Sequence, residues 1–259
     1  MELTFYKYQG TGNDFVIIDD RDSKFPDDQA LIRSICNRHF GVGADGLILV
    51  RNSSEADFHM LYFNSDGRLS SMCGNGGRCL AQFVVKSLGF GAEEGSFMAF
   101  DGIHRFRIMA NAQVKLEMGN VKEVSPAQKD YFLDTGSPHY VAFHKHVEDA
   151  DLITMAHKVR YSEPYEQAGV NVNLVEIRKD GLFMRTYERG VEDETLSCGT
   201  GMVAAALAWA FRDPRITSPV NISAPGGKTK VHFEKNNSAY ENIWLEGPAI
   251  ESFKGQLEI

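Results

Sequence analysis

Two cysteines carry the most specific chemical signal in this sequence. Cys73 and Cys198 each head a C-G-x-G run, CGNGGRCLAQFVVKSL in one case and CGTGMVAAALAWAF in the other. Mostly apolar residues follow, as in a helix buried on most sides. The first turn of a helix presents N–H groups with no intrahelical acceptor, and glycine lets a ligand approach them, so such a start can hold a carboxylate. The same dipole favours anionic sulfur and lowers a thiol pKa from about 8.5 toward neutrality. One such site would suggest a nucleophile. Two suggest thiols facing each other across a bound amino acid: a thiolate removes the α-proton from one face, a thiol returns a proton on the other, and the stereocentre inverts. The helix starts can stabilise charge growing on the carboxylate, so no cofactor is required, and no lysine motif points to a pyridoxal Schiff base. Cys36 and Cys79 lie within apolar helical patterns and read as small buried hydrophobes.

The elements that must position these cysteines follow from the pattern around them. Gly74–Leu88 and Gly199–Phe211 are expected as core helices, and Asp28–Arg38 and Val147–Val159 as two further helices. Short β-type runs dominate the rest: Leu3–Tyr8, Phe15–Ile18, Leu47–Val50, Phe58–Phe63, Val114–Met118, His139–Phe143, Val172–Ile177, Leu182–Tyr187, Val220–Ser223 and Thr229–Phe233. Asp180–Gly181 reads as a tight hairpin turn. The two C-G-x-G helices stand close to half the chain apart, which signals an internal duplication and two related domains. The polar, turn-prone stretch Gly119–Lys129 marks the crossing, giving domains 1–119 and 120–247.

Composition narrows the partners. The 259 residues are 43% hydrophobic and 24% charged, ordinary for one large globular domain or two small ones. The apolar stretch Met202–Phe211 is about half the roughly 20 residues that a membrane span needs, and the first ten residues lack a basic start and an apolar core, so a cytoplasmic protein is expected. Four cysteines without a C-x-x-C argue against a disulfide scaffold or a zinc ribbon. A net charge of −8 with no basic block removes the usual drive toward nucleic acid or an acidic membrane. A small molecule is the expected partner.

Taken together, the motifs resemble those of the diaminopimelate epimerase family. The resemblance runs through GTGNDFVIID at Gly10–Asp19, NRHFGVGADGLILV at Asn37–Val50, FNSDG at Phe63–Gly67, MCGNGGRC at Met72–Cys79, GSPH at Gly136–His139, GVNVNLVEI at Gly169–Ile177, RTYERG at Arg185–Gly190, SCGTG at Ser197–Gly201 and PGG at Pro225–Gly227. It implies an isomerase that interconverts LL- and meso-diaminopimelate without a cofactor, in lysine and peptidoglycan precursor synthesis. It implies an α+β fold of two pseudo-symmetric domains, each a curved, mainly antiparallel, barrel-like sheet around a central apolar helix, with the active site in the cleft between them. A last strand, residues 248–259, is implied to return to the first domain, and a homodimer is implied because family members often form one.

Residue by residue, the resemblance makes Cys73 and Cys198 the acid/base thiols. The backbone amides of Gly74, Asn75, Gly199 and Thr200 would hold the reacting carboxylate. Asn13, Asn64, Asn171 and Arg189 would grip the distal amino-acid group, a task suited to a bidentate guanidinium and to amides that both donate and accept. His139 and Glu188 would orient the reacting amino group. Two positions depart from the family pattern: Ser137 stands where Asn is frequent before the P-H pair, and Gly46 where Gln can follow A-D.

Other signals weigh less. GVGADG at Gly41–Gly46 fits the dinucleotide fingerprint, but a helical pattern precedes it and a strand follows, the reverse of what that fingerprint needs. His144 and His146 lack companions at ligand spacing, so no metal site is expected. Glu188–Arg189 by itself reads equally as a solvated ion pair. A proline or hydroxyproline racemase shares the two-thiol logic but needs no grip on a distant amino-acid group. A thiol redox protein cycling a Cys73–Cys198 disulfide is the reading from a different class.

Overall fold

The computed structural model describes residues 1–70 and 72–259, and the chain divides into two units, Met1–Leu116 with Gly247–Ile259, and Glu117–Glu246. In the first unit, β1 (Glu2–Gly10) and β2 (Asn13–Asp19) form an antiparallel hairpin. Its turn has left-handed backbone at Thr11 and Gly12, φ 52° and 85°, a conformation that of the two only the glycine adopts without steric cost. Helix α1 (Gln29–Cys36) leads to β3 (Gly46–Arg51), parallel to β2, and β4 (Phe58–Asn64) returns antiparallel. Helix α2 (Gly74–Lys86) leads to β5 (Glu94–Ala99), parallel to β4, followed by antiparallel β6 (Gly102–Ile108) and β7 (Gln113–Glu117).

The second unit repeats that order. Short β8 (Ser125–Ala127) pairs with β9 (Asp130–Asp134), which forms a hairpin with β10 (Pro138–Phe143). Helix α3 (Leu152–Arg160) leads to β11 (Asn171–Arg178), parallel to β10, and β12 (Gly181–Glu188) returns through the Asp180–Gly181 turn, where Gly181 has φ 140°. After short β13 (Asp193–Thr195), helix α4 (Gly199–Arg212) leads to β14 (Val220–Ala224), parallel to β12, then β15 (Gly227–Asn236) and β16 (Ala239–Pro248). The last strand, β17 (Ile250–Glu258), pairs with β1 in the first unit. Hairpin, helix, hairpin, helix and three strands thus occur twice. A parallel pair needs a crossover, and the four parallel pairs described above each have a helix between their strands. The other pairings described above are antiparallel. Each sheet curves around its helix without closing into a barrel.

The strands of the first unit are covered on both faces. Val16, Ile18, Leu47 and Leu49 pack with Ile32, Ile35 and Cys36 of α1, whereas Phe15, Ile48 and Met60 lie within 3.4 Å of where a Cβ on Gly76 of α2 would stand. That alternation is the period of two expected of strands. In the second unit Val172 and Leu174 pack with Leu152 and Ala156 of α3, which turns Asn171 and Asn173 toward the opposite face, and Gly201 of α4 approaches Asn173 there. Helices α2 and α4 are buried along most of their length.

Three helices are shorter than the sequence pattern suggests: α2 ends at Lys86 rather than Leu88, and the other two stop or break at identifiable residues. Within Asp28–Arg38 the helix stops at Cys36, because Asn37 adopts an extended backbone and its Oδ1 accepts from the His39 and Phe40 amides. Within Val147–Val159, one 3-10 turn at Val147–Asp149 precedes a break, and α3 restarts behind Asp151, whose carboxylate accepts from the Thr154 amide. The Arg185 guanidinium takes the carbonyls of Val147, Glu148 and Ala150 and holds that break open.

Candidate active site

Cys73 and Cys198 occupy the same place in their units: each is the N-cap of its buried helix, with extended backbone (φ −100° and −122°), and neither caps the helix through its side chain. The first intrahelical bonds run from Gly77 N to Cys73 O (2.7 Å) and from Met202 N to Cys198 O (2.9 Å). The preceding N–H groups, Gly74 and Asn75 in one unit and Gly199 and Thr200 in the other, have no acceptor within the helix. Cys36 and Cys79 differ: burial pushes both thiols up to about 12, so they stay protonated core side chains.

Around Cys73, the thiol lies 3.4 Å from Asn13 Oδ1, which also accepts from Asn75 Nδ2 at 3.4 Å. Asn13 is oriented by its other end, since Nδ2 donates to Asp45 at 2.6 Å. Asp45 belongs to a charge cluster in which Arg38 bridges Asp14 and Asp45 (2.6 and 2.7 Å) and Lys7 meets Asp14 at 2.6 Å. Burial alone would raise the Asp14 carboxyl, but Arg38 and Lys7 overcome it and hold the group down to about 2. Beneath the helix start, Arg78 is fully buried. Its Nη2 donates to Asn75 Oδ1 (2.8 Å) and Thr11 Oγ1 (3.3 Å), and its Nη1 to Gly74 O (3.3 Å).

Around Cys198, the sulfur lies 3.4 Å from the Thr200 hydroxyl, and that hydroxyl lies 2.9 Å from His139 Nε2. His139 is completely buried, and burial, with the charge of Arg189 adding, brings its pKa down to about 3, so the ring is neutral near pH 7. Asn173 Nδ2 lies 3.1 Å from His139 Nδ1 and donates to Tyr140 O at 3.0 Å, while its Oδ1 accepts from Thr186 at 2.9 Å. Asn171 donates to Ser137 Oγ at 3.0 Å and accepts from the Arg189 amide at 2.9 Å.

The structure therefore groups Cys73, Gly74, Asn75 and Asn13 in one unit, and Cys198, Gly199, Thr200, His139, Asn171 and Arg189 in the other. Asn64 is exposed at the end of β4, opposite Gly46, the residue after Asp45, in the strand register. Glu188 accepts from Thr195 at 2.9 Å, and Arg189 donates to Ala168 O at 2.9 Å. At the departures from the family pattern, Ser137 receives Asn171, and the room beside Gly46 is taken by the Tyr62 ring, 2.5 Å from where a Cβ would be. Sequence reasoning passed over Arg78, Thr11, Asp45, Asn173 and Thr186. Asn173 carried a usable signal, since the spacing of two in N-V-N puts it on the strand face of Asn171.

Among the described residues no cluster of three or more His, Cys, Asp or Glu could hold a metal, and no helix is long and apolar enough to cross a membrane.

The model of the diaminopimelate epimerase family matches residues 5–124 and again 131–250. The chain belongs to the diaminopimelate epimerase family. Among curated relatives, the diaminopimelate epimerase of Flavobacterium psychrophilum is 48% identical over 95% of this chain and 97% of its own length. That of Chlorobaculum tepidum is 38% identical over 96% and 99%, and that of Archaeoglobus fulgidus 37% identical over 100% and 98%. Solved structures extend the likeness to the fold alone. A phenazine biosynthesis protein of the PhzF family from Bacillus anthracis has a TM-score of 0.78 at 13% identity, covering 100% of both chains. A hydroxyproline epimerase from Agrobacterium vitis, with trans-4-hydroxy-L-proline bound, has a TM-score of 0.70 at 14% identity, covering 99% of this chain and 92% of its own.

Proposed function

We propose that this family member is an isomerase that interconverts LL- and meso-2,6-diaminopimelate by moving a proton between two thiols, Cys73 and Cys198. In one direction a thiolate takes the α-proton and becomes a thiol, while the opposing thiol gives its proton to the other face of the same carbon and becomes a thiolate. The reverse reaction uses the same pair with roles exchanged, and no proton is lost or gained. The observation that carries this reading is the repeated N-cap cysteine, each ahead of a glycine and a helical first turn whose amides can receive a carboxylate.

On this reading Gly74, Asn75, Gly199 and Thr200 hold the reacting carboxylate through their amides. Asn13, Asn64, Asn171 and Arg189 grip the distal amino-acid group, and His139 and Glu188 stand near the reacting amino group. The product serves lysine and peptidoglycan precursor synthesis. The protein works in the cytoplasm, where thiols stay reduced, and gel filtration tests the homodimer that the family resemblance implies.

Incubation with LL-diaminopimelate in deuterated water tests the chemistry. The meso product should carry solvent deuterium at the inverted carbon, and Cys73→Ala and Cys198→Ala should each abolish inversion while melting as cooperatively as the wild type. Product without deuterium, or turnover retained in either variant, rules the two-thiol scheme out. Proline offered in parallel should not be racemised, and a requirement for an oxidant would favour the redox reading.

A further inference from the structure

The polar groups behind Cys198 form a chain with a direction. Asn173 lies on β11 with its amide fixed at both ends: Oδ1 accepts from the Thr186 hydroxyl at 2.9 Å, so Nδ2 must be the end that faces Tyr140 O at 3.0 Å and His139 Nδ1 at 3.1 Å. An amide nitrogen has only hydrogens to offer. His139 Nδ1 must therefore be the unprotonated ring nitrogen, and because the buried ring is neutral, the proton sits on Nε2. That N–H points to the Thr200 oxygen at 2.9 Å. The Thr200 hydroxyl, having accepted, has its hydrogen left for Cys198 Sγ at 3.4 Å.

A contact pulling the other way is weaker. Asn171 Nδ2 lies 3.4 Å from His139 Nε2, but it has a better acceptor in Ser137 Oγ at 3.0 Å. The alternative tautomer would set an N–H against the Asn173 amide hydrogens at 3.1 Å. The charged group acting on His139 is Arg189, which disfavours the imidazolium. Among the described residues, the other side chains hydrogen-bonded to the ring, from β11 and α4, are the neutral Asn171, Asn173 and Thr200. Gly201 keeps the relay compact: a Cβ there would lie 2.6 Å from Asn173 Oδ1 and 3.3 Å from His139 Cε1.

We propose that Asn173 is the positioning residue that selects the Nε2–H tautomer of His139 and so aims a hydrogen bond from Thr200 at the Cys198 sulfur. The polarity around Cys73 is opposite. There Asn13 Oδ1, an acceptor, lies 3.4 Å from the sulfur and is held in place because Nδ2 is engaged by Asp45. A donor on one sulfur and an acceptor on the other place the resting negative charge on Cys198 and the resting proton on Cys73.

This rests on the reading that both cysteines exchange the α-proton, and the test separates the two ideas. In wild-type protein, 15N NMR of His139 at neutral pH should show a protonated Nε2 and an unprotonated Nδ1. An Nδ1–H tautomer or an imidazolium overturns the proposal, whatever happens to turnover. Asn173→Asp supplies an acceptor to Nδ1, reverses the tautomer and turns the Thr200 hydrogen away from sulfur. The pH midpoint for alkylation of Cys198 by iodoacetamide, followed by peptide mass in the Cys73→Ala background, should rise by about one unit or more. Thr200→Val should raise it too without adding charge, and the double variant should rise no further than Asn173→Asp alone. Additive shifts, or an unchanged midpoint with the tautomer reversed, would show that the relay does not act on Cys198. Should Asn173→Asp fail to fold, the tautomer in the wild type and the Thr200→Val midpoint decide. Turnover retained in Cys198→Ala, by contrast, would sink the catalytic reading and leave the tautomer result standing.

Discussion

Arg78 Nη2 donates to Asn75 Oδ1 at 2.8 Å, the shortest hydrogen bond of a guanidinium that has no exposed surface and, among the described residues, no carboxylate partner. Its remaining partners are Thr11 Oγ1, Gly74 O and Pro248 O, all neutral. A cation held this way is costly unless its hydrogen bonds are good. Asn75 gains a fixed amide, with Oδ1 occupied by Arg78 and Thr11 and Nδ2 left to face Asn13. Arg78→Met strands these acceptors, so a stability loss of about 1–3 kcal/mol for each buried acceptor left without a donor is expected. Arg78→Lys keeps the charge but not the planar fork, and it should raise KM more than it lowers kcat because Asn75 is freed. Urea denaturation and steady-state kinetics read both effects, and a wild-type midpoint in Arg78→Met would mean the network adds nothing to stability.

Gly201→Ala sets two effects of known size against each other. Alanine inside a helix is favoured over glycine by about 1 kcal/mol. The new Cβ, however, would stand 2.6 Å from Asn173 Oδ1. Asn173 is not the flexible end of a surface side chain: Thr186, Tyr140 and His139 hold it on three sides. Overpacking at such a place costs about 1–3 kcal/mol, so the substitution should lower the melting temperature rather than raise it, and turnover should fall with it.

The contrast between Cys73 and Arg78, five residues apart, shows what could be read from the sequence. The N-cap cysteine was legible because its signal is local: a Cys-Gly-x-Gly start and an apolar run dictate helix and cap together. The buried guanidinium was not, because its partners Thr11 and Pro248 come from far along the chain, and an arginine in a helix reads by default as a surface charge. The same division holds in the fold. The Asp180–Gly181 turn follows from glycine chemistry and is found where expected. Strands β5 and β6 escaped because the core face of β6 carries His104, stacked on Phe97, where an apolar residue would have completed the alternation. β16 pairs with β15 across a register shift between His232 and Glu234 that no local pattern announces. The break before α3 depends on Arg185, a residue of β12.

His139 makes stability depend on pH in a direction that can be worked out. Burial, aided by the charge of Arg189, depresses its folded-state pKa to about 3 from an ordinary value near 6.5. Between those two values the unfolded chain binds a proton that the folded chain refuses, so stability rises with pH across this window. The contribution is complete above about pH 6.5 and is lost as pH falls toward 3, with a slope of up to about 1.4 kcal/mol per pH unit from this group. Denaturation midpoints measured from pH 7 to pH 4 should show that slope, and His139→Gln, which cannot titrate, should flatten it. An equally steep profile in the variant would assign the effect to other groups.

Gly46 and Tyr62 are expected to be coupled, but incompletely. A Cβ on Gly46 would lie 2.5 Å from both the Tyr62 ring and the Phe63 carbonyl oxygen. The ring is a side chain that truncation removes. The carbonyl belongs to β4, which is held against β3 along its length and cannot retreat without breaking the ladder. Gly46→Ala should therefore cost about 1–3 kcal/mol. Tyr62→Ala should cost about 3–5 kcal/mol, in the range for truncating a large aromatic, because the residue is only 8% exposed. The double variant should be less destabilised than the sum of the two, by the part of the collision that the ring contributes, yet remain less stable than Tyr62→Ala alone. Chemical denaturation of the four proteins supplies the cycle. Strict additivity would show that the ring does not meet position 46. Full relief would show that the backbone yields, in which case a longer side chain at this position could reach toward Asn64, its cross-strand neighbour.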